Sequence, residues 1–271
     1  DYAERLVAIE NVLHKMSVEM QQPSLSRLNK VSRPLQQSII LSPGTPIIPL
    51  APPGMVTVPS GPYFYESSNN CIEGDQLADA VGVQMPWQGH PSRSQKQLIR
   101  MHSFHIDKHL VTNEQYRRYV DRGAGKYFAP RDRQNWLKDW PGGLIPTGAS
   151  NHPVRWVSRA DASSYCRYYG KRLPTSWEWQ YAAQGTDGRR YPWGNTWDAS
   201  LVARLSNARN DPPTEDVDAH PESASPFGVE DMVGHLYQWT DEACDEHTCR
   251  AILRGGSNYY AIGSPWYFPQ P

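Results

Sequence analysis

Three histidines within a run of eight positions are the first residues whose types could do chemistry. His102, His105 and His109 carry imidazoles, which are common ligands of transition metals in proteins. Residues 98–106 alternate as in a strand, and successive side chains along a strand point to opposite faces. His102 and His105 would therefore diverge, so we expect a half-buried strand face rather than a metal site, with His105 as a packed, hydrogen-bonded imidazole.

The cysteines offer a second candidate for metal or redox chemistry. Cys244, His247 and Cys249 could supply three zinc ligands, but a structural zinc site takes four and the sequence shows no fourth. We favour two free thiols or a small loop disulfide over zinc. Cys166 falls in mid-helix on an apolar stripe, which is typical of a buried structural thiol. Four cysteines are too few for a disulfide scaffold and leave the compartment unassigned.

Composition narrows the class of protein that must position these side chains. Lys and Arg total 27 against 28 Asp and Glu, and this balance argues against a dedicated nucleic-acid or membrane-surface protein. No run of 18 apolar residues exists, so we predict no transmembrane segment. The 10 Trp, 15 Tyr, 20 Gly and 24 Pro indicate a loop-rich globular domain with an aromatic core. The sequence starts at Asp1 without an initiator Met, from which we expect a processed chain or a fragment.

The N-terminal residues 1–22 read as an amphipathic helix. Apolar residues recur there with the spacing 3, 4, 3, 4 of a seam that needs an apolar surface to cover it; they are Leu6, Ile9, Leu13, Met16 and Met20. One interpretation is a docking helix for a partner or an upstream domain. The other is that the helix folds back onto its own domain.

Residues 23–54 form a Pro-rich extended linker. Within it, residues 43–53 carry proline at every third position from Pro43 to Pro52, which is the repeat of a polyproline II helix. Ile47, Ile48 and Leu50 lie among these prolines, so we expect the segment to lie along a surface. Together with the N-terminal helix it predicts a contact surface for a protein partner or assembly.

Short elements then alternate with turns. Residues 55–58 read as an opening strand, and Thr112 is the predicted N-cap of a short helix. Ser158 and Asp161 form a capping box for a second helix that stops at Gly170, and Thr175 with Glu178 forms another for a third helix.

Four ordered motifs carry a family resemblance. They read GKRLPTSWEW over residues 170–179, YPWGN over 191–195, SPFGVEDMVGHLYQWT over 225–240 and LRGGS over 253–257. In this order and spacing they resemble the formylglycine-generating enzyme family, also called the sulfatase-modifying-factor domain, over residues 55–271. The resemblance implies an α+β fold of the family's C-type-lectin-like kind, with much irregular structure, preceded here by the helix and the Pro-rich segment.

The family resemblance implies two chemistries that can be compared with individual positions. The copper-dependent oxidase of the family uses two cysteines just after the Arg-Gly-Gly-Ser motif, where thiolates bind Cu(I). This sequence has Tyr260 and Pro265 there, so no copper is expected. The iron-dependent sulfoxide synthases build their iron site mainly from a separate helical domain that this sequence lacks, so no iron is expected either.

Calcium is the cofactor that the resemblance favours, because the family's lectin-like core holds Ca²⁺ with loop oxygens. The positions that carry over are Asp231 and Gln238 by side chain and Gly234 and Leu236 by backbone carbonyl. A second site would use two further residues, Asn207 and the carbonyl of Ala208. The alternative is that Gln238 and the neighbouring His235 close a hydrogen-bonded loop without a metal.

The resemblance also implies that the domain continues beyond the last residue, through a strand that completes its core. We therefore expect a domain incomplete at its C-terminal end, with Trp266, Tyr267 and Phe268 as an exposed aromatic patch of the kind that marks an interface. The combined interpretation is a non-catalytic binding or structural module of a larger protein or assembly. A carbohydrate or peptide ligand follows by analogy with the lectin-like fold. The alternatives are a formylglycine-generating oxidase and a fragment of an iron-dependent sulfoxide synthase.

Overall fold

A computed structural model describes residues 11, 43–70, 92–122, 135–206, 208, 212–243 and 251–259. The chain divides between Ser38 and Ile39 into two units, and the structural description that follows is of the second. Apart from Asn11, the predicted N-terminal helix lies outside the described residues, as do Cys244, Cys249, the positions 260 and 265 and the predicted aromatic patch over residues 266–268. The predictions for these residues stay open. No helix among the described residues is long and apolar enough to span a membrane.

In the described part of the chain, six short strands pair as three separate antiparallel ribbons. The strands are β1 (Met55–Val58), β2 (Gly61–Asn70), β3 (Ser92–Met101), β4 (Phe104–Asp107), β5 (Gln238–Ala243) and β6 (Ala251–Arg254). Strand β1 pairs with β4, β2 pairs with β3, and β5 pairs with β6 through a register shift between Trp239 and Ala243. Small ribbons of this kind are stable only when other elements pack against them.

The single strand predicted over residues 98–106 is two strands instead. The chain leaves the β2–β3 ribbon after Met101 and enters the β1–β4 ribbon at Phe104, so His102 lies in the connection. The Ser103 hydroxyl donates to the carbonyl oxygen of Val58 at 2.9 Å and fixes this crossing. Sequence alternation continues across the break, which is why the pattern alone does not reveal it.

The three helices that follow β4 begin at the predicted residues. They are α1 (Asn113–Asp121), α2 (Arg159–Tyr168) and α3 (Ser176–Gln184), with the N-caps Thr112, Ser158 and Thr175. Each N-cap side chain accepts a hydrogen bond from the N3 backbone, and each N3 side chain accepts one from the N-cap backbone. These capping boxes satisfy amides that have no partner inside the helix, and the predicted boxes at Ser158 and Thr175 are confirmed.

Aromatic side chains build two cores. The larger one surrounds Trp179 and Tyr181 of α3 and includes Tyr63 of β2, whose ring centroid lies 5.1 Å from that of Tyr181. The smaller one joins α1 and α2 through Tyr116, Tyr119 and Tyr165, with centroids 5.3–5.5 Å apart, and it includes Trp140. Short helices, small ribbons and aromatic cores confirm the predicted α+β class.

Candidate functional site

The turn over residues 231–238 holds the described residues of the first predicted calcium site. Asp231 is buried and has a φ of 54°, a left-handed conformation that is rare outside glycine. Gly234 has a φ of 82°, and a Cβ there would lie 2.9 Å from the Val202 side chain. The Gly234 amide donates to the carbonyl oxygen of Gly255 at 2.8 Å. The turn is therefore both strained and closely packed.

Gln238 closes this turn with its side-chain amide. The indole nitrogen of Trp179 donates to Oε1 of Gln238 at 2.8 Å. Nε2 of Gln238 donates to the carbonyl oxygen of Asp231 at 2.8 Å. With the amide reversed, its NH₂ group would face the Trp179 N–H and its oxygen would face the Asp231 carbonyl oxygen. The hydrogen-bond network therefore fixes which end of the Gln238 amide is the oxygen.

His235 and Asp231 complete the network from within the turn. Nδ1 of His235 lies 3.3 Å from Oδ2 of Asp231, and Nε2 accepts the backbone N–H of Glu215 at 3.2 Å. Because Nε2 accepts, the proton of the neutral ring is on Nδ1 and points at the carboxylate. Both side chains are fully or almost fully buried.

These contacts bear on calcium. The structure brings Asp231, Gly234, Leu236 and Gln238 into one turn, while Ala208 is exposed and Asn207 lies outside the described residues. In this arrangement Oδ2 of Asp231 lies against His235, Oε1 of Gln238 accepts from Trp179, and Nε2 of Gln238 faces the Asp231 carbonyl. Nowhere in the described part of the chain do three His, Cys, Asp or Glu side chains gather as metal ligands. The geometry suits the hydrogen-bonded loop, and calcium remains a prediction.

Calcium binding at this turn is open to a direct thermal test. If the turn takes the ion, Ca²⁺ should raise the melting temperature by mass action on the folded state. Asp231→Ala should then abolish the difference in melting temperature between calcium and chelator. Asp121→Ala, at an exposed carboxylate of α1, should leave that difference unchanged. Equal melting temperatures for the unsubstituted chain in calcium and chelator, or a shift that survives Asp231→Ala, would contradict the assignment.

The Arg-Gly-Gly-Ser motif allows two segments to approach closely. Gly255 has a φ of 88°, and a Cβ there would lie 2.6 Å from the carbonyl oxygen of Met232. Real Cβ atoms do not come that close to a backbone oxygen, so only glycine fits without displacement. The motif thus has a structural task, which is to seat β6 against the turn that carries Asp231.

The charged residues of the motif over residues 170–179 also have structural partners. Arg172 forms two hydrogen bonds to Glu178, at 2.7 and 2.6 Å. Burial opposes ionisation of Glu178, but the hydrogen bonds from Arg172 and Thr175 outweigh it and hold the pKa of the carboxyl below its usual value. Lys171 donates to Asp107 of β4 at 2.5 Å. Both cations therefore tie the loop before α3 to its surroundings.

Two buried acids of β5 were not anticipated from the sequence. Glu242 accepts the backbone N–H of Ser176 at 2.5 Å, so a carboxylate lies against the N-terminus of α3, where the helix dipole favours negative charge. Arg159 of α2 donates to the backbone carbonyl of Asp241 and lies 3.4 Å from its carboxylate. In the sequence these acids directly follow the motif over residues 225–240, and this position does not reveal their distant partners.

The three histidines do not share a site. Nε2 of His105 donates to the carbonyl oxygen of Ile48 at 3.0 Å, and its Nδ1 accepts the hydroxyl of Thr57 at 3.0 Å. His109 donates to the carbonyl oxygen of Val217 at 2.9 Å. His105 is therefore the packed, hydrogen-bonded imidazole that the sequence predicts.

Cys166 is a free thiol, and it is half-buried rather than fully buried as the apolar stripe predicts. Burial raises its pKa to about 12, which leaves almost no thiolate at neutral pH. Because the thiolate is the nucleophilic and metal-binding form, Cys166 is unreactive in this setting.

A cleft of about 830 Å³ is lined by the Pro-rich segment, strand β4 and part of the core. Its lining includes residues 44–49 and Pro52 of the segment, Ile106 of β4, Trp177 and Trp239. The His105–Ile48 hydrogen bond holds the segment over the outer face of the β1–β4 ribbon. The volume of the cleft is in the range of small-molecule and peptide sites. Within the segment, Ile47 is 99% exposed and Leu50 is 83% exposed.

Comparison with known proteins agrees with this architecture. A family model described as the Sulfatase-modifying factor enzyme 1-like domain matches residues 48–268. The chain therefore belongs to the sulfatase-modifying factor family, and the resemblance read from the four motifs is confirmed.

The relatives within this family have names of different kinds. The chain is 27% identical over 251 residues to hercynine oxygenase from Mycolicibacterium smegmatis, which covers 80% of this chain and 54% of that protein. It is 28% identical over 204 residues to the formylglycine-generating enzyme of Mycobacterium tuberculosis, with 56% and 67% covered. It is 28% identical over 213 residues to the uncharacterized protein YfmG of Bacillus subtilis, with 69% and 41% covered.

A solved structure, the crystal structure of CarF, aligns with a TM-score of 0.48 and 20% identity over 80% of this chain and 90% of that one. Among the curated relatives, the chain spans 41% of YfmG and 23% of a Chlamydia caviae protein named serine/threonine-protein kinase pkn1. These relatives are thus longer proteins in which this domain is one part.

Proposed function

We propose that the chain is a non-catalytic binding or structural module of the sulfatase-modifying factor family, acting within a larger protein or assembly. The observation that carries the proposal is the pair Tyr260 and Pro265, which stand where the oxidase of the family has its two cysteines. Neither residue supplies a thiolate, and a site for Cu(I) needs soft sulfur ligands.

The described motif residues support the same proposal. Arg172 is hydrogen-bonded to Glu178, and Trp179 is hydrogen-bonded to Gln238. Gly255 is present because its neighbours leave no room for a side chain. Motifs of this kind can persist in a protein that needs the fold alone, since fold does not fix function.

The alternatives are catalytic and come from the named relatives. A formylglycine-generating oxidase would need a thiol pair other than positions 260 and 265. An iron-dependent sulfoxide synthase would need iron ligands from beyond the described residues, which offer no cluster of three ligands. We rank both below the binding module, in that order.

The binding role is assigned to a protein partner that contacts the Pro-rich segment over residues 43–53. Ile47 and Leu50 are almost fully exposed there, and a fully buried leucine or isoleucine gains about 1.5–3 kcal/mol relative to exposure. The His105–Ile48 hydrogen bond holds the segment, which lowers the entropy cost of docking. The N-terminal seam is proposed as a separate contact surface for a partner and consists of Leu6, Ile9, Leu13, Met16 and Met20. The cleft is proposed to take a peptide or carbohydrate.

Photo-crosslinking in the cells that make the protein tests this role. A benzoylphenylalanine at position 47 of the full-length chain should give one discrete crosslinked product on irradiation. The matched control is position 144, because Leu144 is likewise an exposed aliphatic residue. It lies away from the segment in sequence and should give no such product. Equal crosslinking at both positions, or none at position 47, would contradict the proposal.

A further inference from the structure

The outer face of the β2–β3 ribbon is an exposed apolar patch set beside an ion pair. Phe64 of β2 lies directly opposite Leu98 of β3, and Glu66 lies opposite Lys96. Phe64 is 54% exposed and Leu98 is 59% exposed. Successive side chains along a strand point to opposite faces. Because Tyr63 is buried in the core, the neighbouring Phe64 and its partner Leu98 point away from the core.

The charges on this face are exposed as well. Nζ of Lys96 lies 3.3 Å from Oε2 of Glu66, with the two side chains 61% and 53% exposed. The same ammonium group lies 5.5 Å from the centroid of the Phe64 ring. An exposed pair of this type contributes little to the stability of its own ribbon, so its arrangement is available for a contact with another molecule.

The order of these residues is self-complementary. One strand presents an aromatic ring followed by an acid, and the other presents an aliphatic side chain followed by a base. A two-fold axis parallel to the strands would place β2 of one copy over β3 of a second copy. Phe64 would then meet Leu98 of the second copy, and Glu66 would meet its Lys96. The third rung sets Pro62 against Arg100, which adds no like-charge contact.

We propose that a second copy of this chain docks on the β2–β3 face, forming a symmetric dimer centred on Phe64 and Leu98. This inference goes beyond the proposed binding role and does not depend on it. The face presents three pairs of side chains, whereas a standard interface takes roughly 20–30 residues from each partner. The dimer is therefore weak, and it forms reversibly at high protein concentration.

Sedimentation equilibrium of the full chain tests the dimer first. With loading concentrations raised to about 1 mM, which suits a weak complex, the average mass should rise from that of one chain towards that of two. Phe64→Ser should leave the chain monomeric over the same range. Leu144→Ser, which removes an exposed leucine elsewhere, should leave the association unchanged. A wild-type chain that stays monomeric throughout would overturn the proposal.

Charge reversal separates this geometry from other ways of self-association. Glu66→Lys puts two bases opposite each other at positions 66 and 96, and Lys96→Glu puts two acids there. Each variant alone should associate at least about tenfold more weakly, because like charges meet across the axis. An equimolar mixture of the two should regain association, since acids then face bases on both sides. Residues 66 and 96 still carry like charges within each chain of the mixture. Recovered association therefore reports the contact between copies.

Controls keep the result interpretable. Glu114→Lys makes the same charge change on α1, at another exposed ion pair, and should not alter association. Circular dichroism should show that both variants of the ribbon fold like the parent. Association of either variant alone at wild-type strength, or a mixture no stronger than its components, would overturn the proposed pairing of β2 with β3.

Discussion

Gly255→Ala should lower the free energy of unfolding by about 2–5 kcal/mol, which combines left-handed backbone strain with overpacking. The glycine has a φ of 88°, and the added Cβ would lie 2.6 Å from the carbonyl oxygen of Met232. That oxygen belongs to the backbone of the turn and cannot rotate away. Urea denaturation followed by tryptophan fluorescence measures the change.

A second glycine isolates the contribution of the close contact. Gly228 has a φ of 82°, and a Cβ added there would have no neighbouring atom within 4 Å. Gly228→Ala therefore introduces strain alone, worth about 1–2 kcal/mol. The Gly255 variant should be the less stable of the two. Equal losses would mean that the β6 segment moves away from Met232 without cost, contrary to the packing described above.

Arg172→Met should destabilise the chain by about 2–4 kcal/mol, because the Glu178 carboxylate then loses its partner in a mostly buried site. The two side chains are 24% and 13% exposed. The control is Arg118→Met, which breaks an exposed pair with Glu114 on α1 and should cost about 0.5 kcal/mol or less. Comparable losses in the two variants would show that the Arg172–Glu178 pair is not buried.

The same pair predicts the pH dependence of this loss. The folded-state pKa of Glu178 lies below its ordinary value of 4.5, so its contribution to stability is present above that pH and is lost as pH falls through the folded-state pKa. The difference between the parent and Arg172→Met should therefore be largest near neutral pH and should shrink in acid. A difference that is constant from neutral pH to pH 3 would contradict this explanation.

Local features of the fold were predictable, and contacts between distant segments were not. The capping boxes at Ser158 and Thr175 are written within four consecutive residues, so the sequence reveals them directly. The bond from Ser176 to Glu242 joins residues 66 positions apart. Secondary-structure propensity and periodicity carry no information on contacts between residues so far apart in the chain. For the same reason the sequence did not show that the strand predicted over residues 98–106 divides into β3 and β4.

The candidate site shows the same limit at the level of single atoms. Its motif located the turn that holds Asp231 and Gln238, but not the role of the Gln238 amide. Only the position of the Trp179 indole determines which end of that amide faces the Asp231 carbonyl. A residue type consistent with both a metal ligand and a hydrogen-bonding clamp cannot be assigned from sequence alone.

The absence of oxidase chemistry is the central claim, and mass spectrometry of a cysteine peptide tests it most directly. The full chain is incubated with Cu(I), dioxygen and a sulfatase-type peptide, and the mass of the peptide is then measured. The formylglycine-generating enzyme of Mycobacterium tuberculosis, assayed in parallel, verifies that the peptide is competent. We predict that the cysteine stays intact with this chain, because Tyr260 and Pro265 provide no thiolates for copper. Copper-dependent conversion of the cysteine to formylglycine would contradict the account.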